Sequence, residues 1–396
     1  MRNAPKLWTL QFLAIIVMAF LFFLCLQLLT AGFPAYITSI KNNPAQAGLM
    51  TTVFMAAAIL TRPLIGYVMQ KINMKLISTA ALLFIILSIS LSYGQDSVSL
   101  LLCLRVLHGI GFGIVSTIFA TMATTIIPVK RLGEGIGYYG MATSIGTSVA
   151  PMFALAILQF FSYNAMIILS VLLTVIALIL CFLVKTPEIP AAESGSSKNI
   201  TLKEYVFDKK ALLPCILTVF FTITLGGVIS FLSGLGNEAG LKSVSLFFLL
   251  MTIMMTIIRP FSGKWYDKYG HKVVIYPAAI SGMIGLFLLS VTHHTVTLLA
   301  AGVFYGISYG IVTPTFQAIA VGLVAREKQG TANAMFFSAM DLGMAIGSTG
   351  LGMLAAATNY HFIYGFSILS IVILLALYSL FFTKEEKKAF DAVESQ

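Results

Sequence analysis

Apolar residues in this chain fall into runs of about twenty or more, separated by short polar stretches. A helix that crosses a bilayer needs about 20 mainly apolar residues, since each residue rises about 1.5 Å. On that criterion the first half of the chain predicts spans at 8–33, 46–69, 76–94, 98–126, 134–159 and 163–184. The second half predicts spans at 211–233, 243–263, 272–291, 296–324, 331–357 and 361–383. Between the halves, 185–210 has the composition of a linker, with Pro187, Pro190, a run of Ser194, Gly195, Ser196 and Ser197, and mixed charges. The pattern predicts an all-α membrane protein of twelve transmembrane helices. It comprises an N-terminal six-helix bundle at 1–184, a linker at 185–210 and a C-terminal six-helix bundle at 211–396. No small-residue cleavage site closes the first apolar run early, so a retained helix is expected there and not a signal peptide.

Composition agrees with this pattern. Hydrophobic residues make up 59% of the chain, charged residues 10%, and the mean hydropathy is +0.97. A soluble domain carries about 25% charged residues, so most of this exterior is expected to face lipid. The net charge of +10 raises the question of a nucleic-acid partner, but the placement of the charges answers it. Of 24 Lys and Arg residues, Arg62, Arg105 and Arg259 lie within apolar segments, and only Lys41 and Lys242 lie on the side opposite the termini. The other 19 fall in the tails, the linker and alternate loops, including Lys71, Lys75, Lys130, Arg131, Lys264, Lys268, Lys272, Arg326 and Lys328. We refer to that side as the basic face. The asymmetry predicts a cytoplasmic basic face, with both termini cytoplasmic. It accounts for the charge without nucleic acid. The four cysteines, Cys25, Cys103, Cys181 and Cys215, sit in apolar runs without paired spacing and are read as small buried residues, not a metal site or disulfide.

The chain also repeats itself. Arg62-Pro63-Leu64-Ile65-Gly66 recurs as Arg259-Pro260-Phe261-Ser262-Gly263, at an offset of 197. The same offset, without gaps, pairs Lys75 with Lys272, Gly109 with Gly306, Gly113 with Gly310, Gly133 with Gly330 and Gly146 with Gly343. An even number of helices per copy makes the two halves parallel repeats, an architecture that places a substrate cleft near the midplane and permits alternating access.

Three motifs resemble the major facilitator superfamily, and within it the twelve-helix drug:proton antiporter branch. The family's loop signature G-x-L-a-D-r-x-G-r-K is similar to Gly263-Lys264-Trp265-Tyr266-Asp267-Lys268-Tyr269-Gly270-His271-Lys272 after helix 8. After helix 2 it is degraded: Gly66 and Lys71 remain, but Gln70 stands at the acid and Asn73 at the glycine. In helix 4, Arg105-Val106-Leu107-His108-Gly109-Ile110-Gly111 resembles R-x-x-Q-G-x-G, with His108 in place of Gln. In helix 5, Gly146 and Pro151 belong to a stretch similar to the exporter signature, with alanines replacing glycines. The resemblance implies the major facilitator fold and a gating role for Arg62, Gly66, Arg259, Gly263, Asp267, Gly270 and Lys272. It implies a part in proton coupling or cleft gating for Arg105. It also implies that Asp267 meets the start of helix 5, near Gly133 and Glu134, where a helix N-terminus favours a carboxylate. Arg62 and Arg259 are expected to snorkel toward the basic face and brace these motifs.

Ionisable groups inside a membrane are costly and so call for a reason. Among the 14 acidic residues, Asp341 alone is expected near the middle of a span, and its repeat partner is Ser144. The functional reading is that it takes up and releases a proton or pairs with a cationic substrate group. The alternative is a structural partner for a buried arginine or a helix-packing hydrogen bond. Arg105 has the alternative of snorkelling at the outer helix end. His108 could titrate or simply pack. Gln27, Tyr305, Tyr309, Thr313 and Gln317 are candidates to line the cleft, as are Thr30, Tyr36, Thr222 and Thr224.

The function expected is secondary active transport, with proton-coupled efflux of amphipathic drugs or a small metabolite such as a metallophore. Uptake of a small organic solute and a membrane sensor are the alternatives. No Walker loop suggests an ATP-driven pump, and no paired carboxylates or nucleophile–base pair suggest an enzyme. No cofactor or metal is expected. The partners are a small-molecule substrate, protons and lipid, with the chain a monomer in a bacterial plasma membrane.

Overall fold

The computed structural model describes residues 6–41, 44–69, 71–185, 207–241 and 244–394. Most of the expected linker, at 186–206, and Gln70 lie outside the described residues. Among these residues twelve long helices follow one another: α1 Leu10–Lys41, α2 Pro44–Val68, α3 Met74–Ser90, α4 Val98–Ile126, α5 Leu132–Phe160 and α6 Tyr163–Leu183, then α7 Lys209–Glu238, α8 Val244–Tyr269, α9 His271–Ser290, α10 Thr295–Gly322, α11 Gln329–Ala357 and α12 Tyr360–Glu394. Among the described residues there is no strand. Eleven of the helices are long and apolar enough to span a membrane, and α3, at 17 residues, is the short one.

Three ends differ most from expectation. The first helix was expected to stop at 33, before Pro34, yet α1 continues through that proline to Lys41. The helix α12 runs to Glu394, past the apolar limit at 383. Most consequentially, α8 does not end at Gly263. The signature expected to form a loop is helical through Tyr269, and the break comes at Gly270, whose φ of +81° suits glycine. The polar side chains after Gly263 are adequate helix formers, so hydropathy ended the span two turns before the helix ends.

The offset of 197 is present in the fold. Two 3-10 turns, Val129–Arg131 and Arg326–Lys328, precede α5 and α11, which begin and end at that spacing. Repeat-paired glycines mark close helix crossings. A Cβ on Gly109 would strike the Phe54 carbonyl of α2, and one on Gly306 would strike Met251 of α8, the repeat partner of Phe54. Gly113 meets Ala58, and Gly310 meets Met255, again partners. Within lipid the association of helices relies on such close backbone packing, because burial from lipid supplies no hydrophobic drive.

The chain forms two compact units. One contains the residues up to Leu212 together with Arg259–Asp267 and Gln317–Ser338; the other contains Leu213–Ile258, Lys268–Phe316 and the residues from Ala339 onward. The first is cored by aromatic side chains, with Phe22 edge-on to Phe119 at 5.6 Å and Phe54 stacked on Phe112 at 5.3 Å. The second is cored by Leu225, Phe247, Tyr305 and Tyr364, with the Tyr305 and Thr224 hydroxyls 2.7 Å apart. Cys25, Cys181 and Cys215 are buried as expected, but Cys103 is exposed on α4.

Candidate functional site

Within the first unit, α5 and the end of α8 cross so closely that their backbones touch. Gly133, Gly137 and Gly140 recur at spacings of four and three and line one stripe of α5. A Cβ on Gly137 would meet the Arg259 carbonyl, and one on Gly263 would meet the Gly133 carbonyl and Glu134 Cα. This approach delivers the Asp267 carboxylate to the N-terminus of α5. Its Oδ1 accepts from the Gly133 amide and its Oδ2 from the Glu134 amide, both at 2.8 Å. First-turn amides have no partner within their own helix and sit at the positive end of its dipole, so a carboxylate is the suited ligand. Glu134 adds a second negative charge, which Arg131 Nη2 at 2.7 Å and Lys264 Nζ at 3.8 Å offset. Deeper along the same crossing, Arg259 Nη1 donates to the Gly140 carbonyl and to Ser144 Oγ.

The repeat partner of this crossing joins α2 to the start of α11, and it has diverged. Gly66 lies against Thr331 and Ala334, and Gly330 lies against Met69. Phe337 occupies the place of Gly140. Accordingly Arg62 Cζ sits 4.9 Å from the Phe337 ring centroid and 5.3 Å from that of Phe112, in cation–π geometry. The expectation that Arg62 and Arg259 snorkel is corrected here: their relative exposures are 1% and 5%. Both find partners inside the protein, which removes the reason to reach for the surface. Gly270 ends α8, and Lys272 is the second residue of α9.

Arg105 is fully buried on α4. Its Nε donates to the Met50 carbonyl and its Nη2 to Thr30 Oγ1, each at 3.2 Å, while Cζ lies 4.2 Å from the Phe54 ring centroid. It therefore does not snorkel either. His108, one turn later, is also buried, with its ring edge-on to Phe33 at 5.9 Å. Gly146 on α5 meets the Phe20 carbonyl of α1, and Pro151 lies within α5.

In the second unit, Asp341 is buried on α11 at 6% exposure. Tyr305 and Tyr309 both stack on Phe221, with interplanar angles of 10° and 6°. Thr313 Oγ1 donates to the Tyr309 carbonyl at 2.6 Å. In the first unit Gln27 is half-buried on α1.

Gln317 belongs to a buried polar knot whose other members were not singled out from the sequence. Its Nε2 donates to Asn333 Oδ1 at 2.9 Å, and Asn333 Nδ2 faces Thr121 Oγ1 at 3.4 Å and Thr124 Oγ1 at 3.3 Å. Nearby, Arg326 Nη2 donates to the Thr125 carbonyl at 3.2 Å, a cation at the C-terminal end of α4. One signal was available: the offset of 197 sets Ile136 against Asn333 and Ala120 against Gln317, so these amides depart from the repeat.

Comparison with known proteins adds four findings. The model of the Major Facilitator Superfamily matches residues 15–348 and 285–395. The staphylopine export protein of Staphylococcus aureus is 20% identical over 370 residues, 89% of this chain and 91% of that protein. Multidrug resistance protein 2 of Bacillus subtilis is 22% identical over 387 residues, 95% and 96% respectively. Among solved structures, the fucose:proton symporter of Escherichia coli has a TM-score of 0.74 at 16% identity, covering 92% of this chain and 97% of that one. That last likeness concerns the fold.

Proposed function

The chain belongs to the Major Facilitator Superfamily, and on that premise we propose that it is a proton-coupled secondary exporter of amphipathic organic molecules or of a small metabolite such as a metallophore. The observation that carries the coupling is Asp341, an acid buried within a spanning helix where the repeat has a serine. An ionisable group kept at that cost is expected to exchange a proton or hold a cationic substrate group as access alternates. Export is supported by the helix 5 residues Gly146 and Pro151 and by similarity to a staphylopine export protein and a multidrug resistance protein. Uptake is the second reading, favoured by Ala150 and Ala154, which stand where the exporter signature has glycines.

The α5–α8 and α2–α11 crossings are read as the gate of the basic face. Asp267 on the α5 N-terminus holds that face closed, and the contact breaks as it opens. The excess of Lys and Arg orients this face to the cytoplasm of a bacterial plasma membrane, with both termini there. Arg105 and His108 are assigned to the opposite gate or to proton coupling. Gln27, Tyr305, Tyr309 and Thr313 remain candidates to line the cleft.

The test is reconstitution in liposomes under an imposed pH gradient, with amphipathic cations and staphylopine as probes. Substrate-evoked proton movement is expected. Accumulation that ignores the gradient would overturn proton coupling, and movement of proton and substrate in the same direction would favour uptake.

A further inference from the structure

The polar knot of Gln317, Asn333, Thr121 and Thr124 joins α10, α11 and α4 in the first unit. All four side chains are buried: Asn333 at 0%, Thr121 at 1%, Thr124 at 3% and Gln317 at 6% exposure. Its polarity is fixed. Thr121 Oγ1 donates to the Thr117 carbonyl at 2.8 Å and Thr124 Oγ1 donates to the Thr121 carbonyl at 3.1 Å. The threonine protons are thus committed to their own helix, and their oxygens are left as acceptors. Asn333 answers with its amino group and turns its carbonyl to the amino group of Gln317. Each member's chemistry suits the member beside it, so the knot is stable when dry.

The other repeat has nothing of the kind. At the offset of 197 the four positions are Ala120, Ile136, Ala318 and Val321, none with a polar side chain. The shared fold therefore does not require polar groups here. A helix contact built from Ala, Ile and Val would pack the closed state equally well, and water would penalise its opening. A contact built from amides and hydroxyls is satisfied by its own members when closed and by water when opened.

We propose that Asn333 and Gln317, with Thr121 and Thr124, form a hydratable seam that lets the basic face part, and that Asn333 is the positioning residue setting the balance between its closed and open states. The inference rests on the alternating-access reading above, but not on the identity of the substrate or the coupling ion. A hydratable seam makes opposite predictions for two kinds of change. Asn333→Asp places a carboxylate in the dry seam, which favours the wet, open state. The double change Gln317→Ala with Asn333→Ile copies the other repeat, removes both amides together and favours the dry, closed state.

The experiment is thiol labelling in inverted vesicles at pH 8, without substrate or gradient, using an impermeant maleimide. The reporter is Ala120→Cys, on the same face of α4 as Thr124 and one turn before it; the same chain without that change gives the background. Asn333→Asp should speed labelling by about tenfold, and the double variant should slow it severalfold while expressing at the level of the parent. Equal labelling in the parent and the double variant, or faster labelling in the double variant, would overturn the seam. Should Asn333→Asp fail to accumulate, the double variant alone decides. A labelling shift in a chain that shows no proton-coupled transport would retain the seam and reject the coupling reading. Unchanged labelling in a chain that transports would do the reverse.

Discussion

Arg62 and Arg259 stand 197 residues apart, each followed by proline, and are held by different chemistry. Arg259 donates to the Gly140 carbonyl, whereas Arg62 lies over the Phe337 ring, which occupies the repeat position of Gly140. Removing a side chain at 140 exposes a carbonyl, and adding an aromatic one at 337 offers a π-face. Either satisfies a buried guanidinium. The duplicated scaffold therefore keeps the arginine and lets its partner diverge.

That relation can be measured at Phe337. Phe337→Leu keeps much of the volume but removes the ring, and should destabilise the protein by about 1 kcal/mol. Phe337→Tyr keeps the π-face and should differ little from the parent. Thermal unfolding in detergent separates them, and equal losses in both variants would show that the ring matters only as bulk.

Gly263 tests the closeness of α8 to α5. A Cβ there meets backbone atoms of Gly133 and Glu134, which cannot rotate aside. Gly263→Ala should cost about 1–3 kcal/mol through overpacking. Gly350 on α11, with nothing near its missing Cβ, is the control: Gly350→Ala should be neutral or slightly stabilising. Matching thermal shifts in the two variants would contradict the close crossing.

Asp267→Asn removes the charge at the α5 N-terminus and turns an amino group toward an amide donor. Asp267 is only half-buried, so solvent discounts the effect, and a loss of about 1–2 kcal/mol is expected. Under the gating reading the variant should also label faster at Ala120→Cys from the basic face and transport at a changed rate. A variant identical to the parent in melting, labelling and transport would remove Asp267 from the gate.

In the second unit, Tyr305→Phe deletes the hydroxyl that meets Thr224 at 2.7 Å. Thr224 Oγ1 still donates to the Phe221 carbonyl at 2.7 Å, so only part of its bonding is lost. A stability loss of about 1 kcal/mol is expected, read from the melting temperature in detergent. A larger loss would mean that the hydroxyl supports more than this one bond.

Run length along the chain was enough to read the twelve helices, and the constant offset was enough to read the duplication, because membrane spans and repeat glycines follow directly from bilayer thickness and helix contact. The pairing of Asp267 with the start of α5 was legible through the motif resemblance. The helical state of the residues from Gly263 to Tyr269 was not, because hydropathy reports where lipid ends and says nothing of where hydrogen bonding ends. The partners of Arg62 and Arg105 were also hidden. Rings, a carbonyl and a hydroxyl 50 or more residues away along the chain leave no local pattern. Asn333 was missed for a related reason: one amide in an apolar helix barely changes a hydropathy average, and only comparison with Ile136 singles it out.

The central claim is that a buried acid couples proton movement to alternating access, and Asp341→Asn in proteoliposomes tests it most directly. Two quantities are compared for one transported probe: exchange across the membrane without a gradient, and accumulation driven by an imposed pH gradient. The account predicts that exchange persists in the variant while gradient-driven accumulation is lost. Accumulation at the parent level in Asp341→Asn would contradict it.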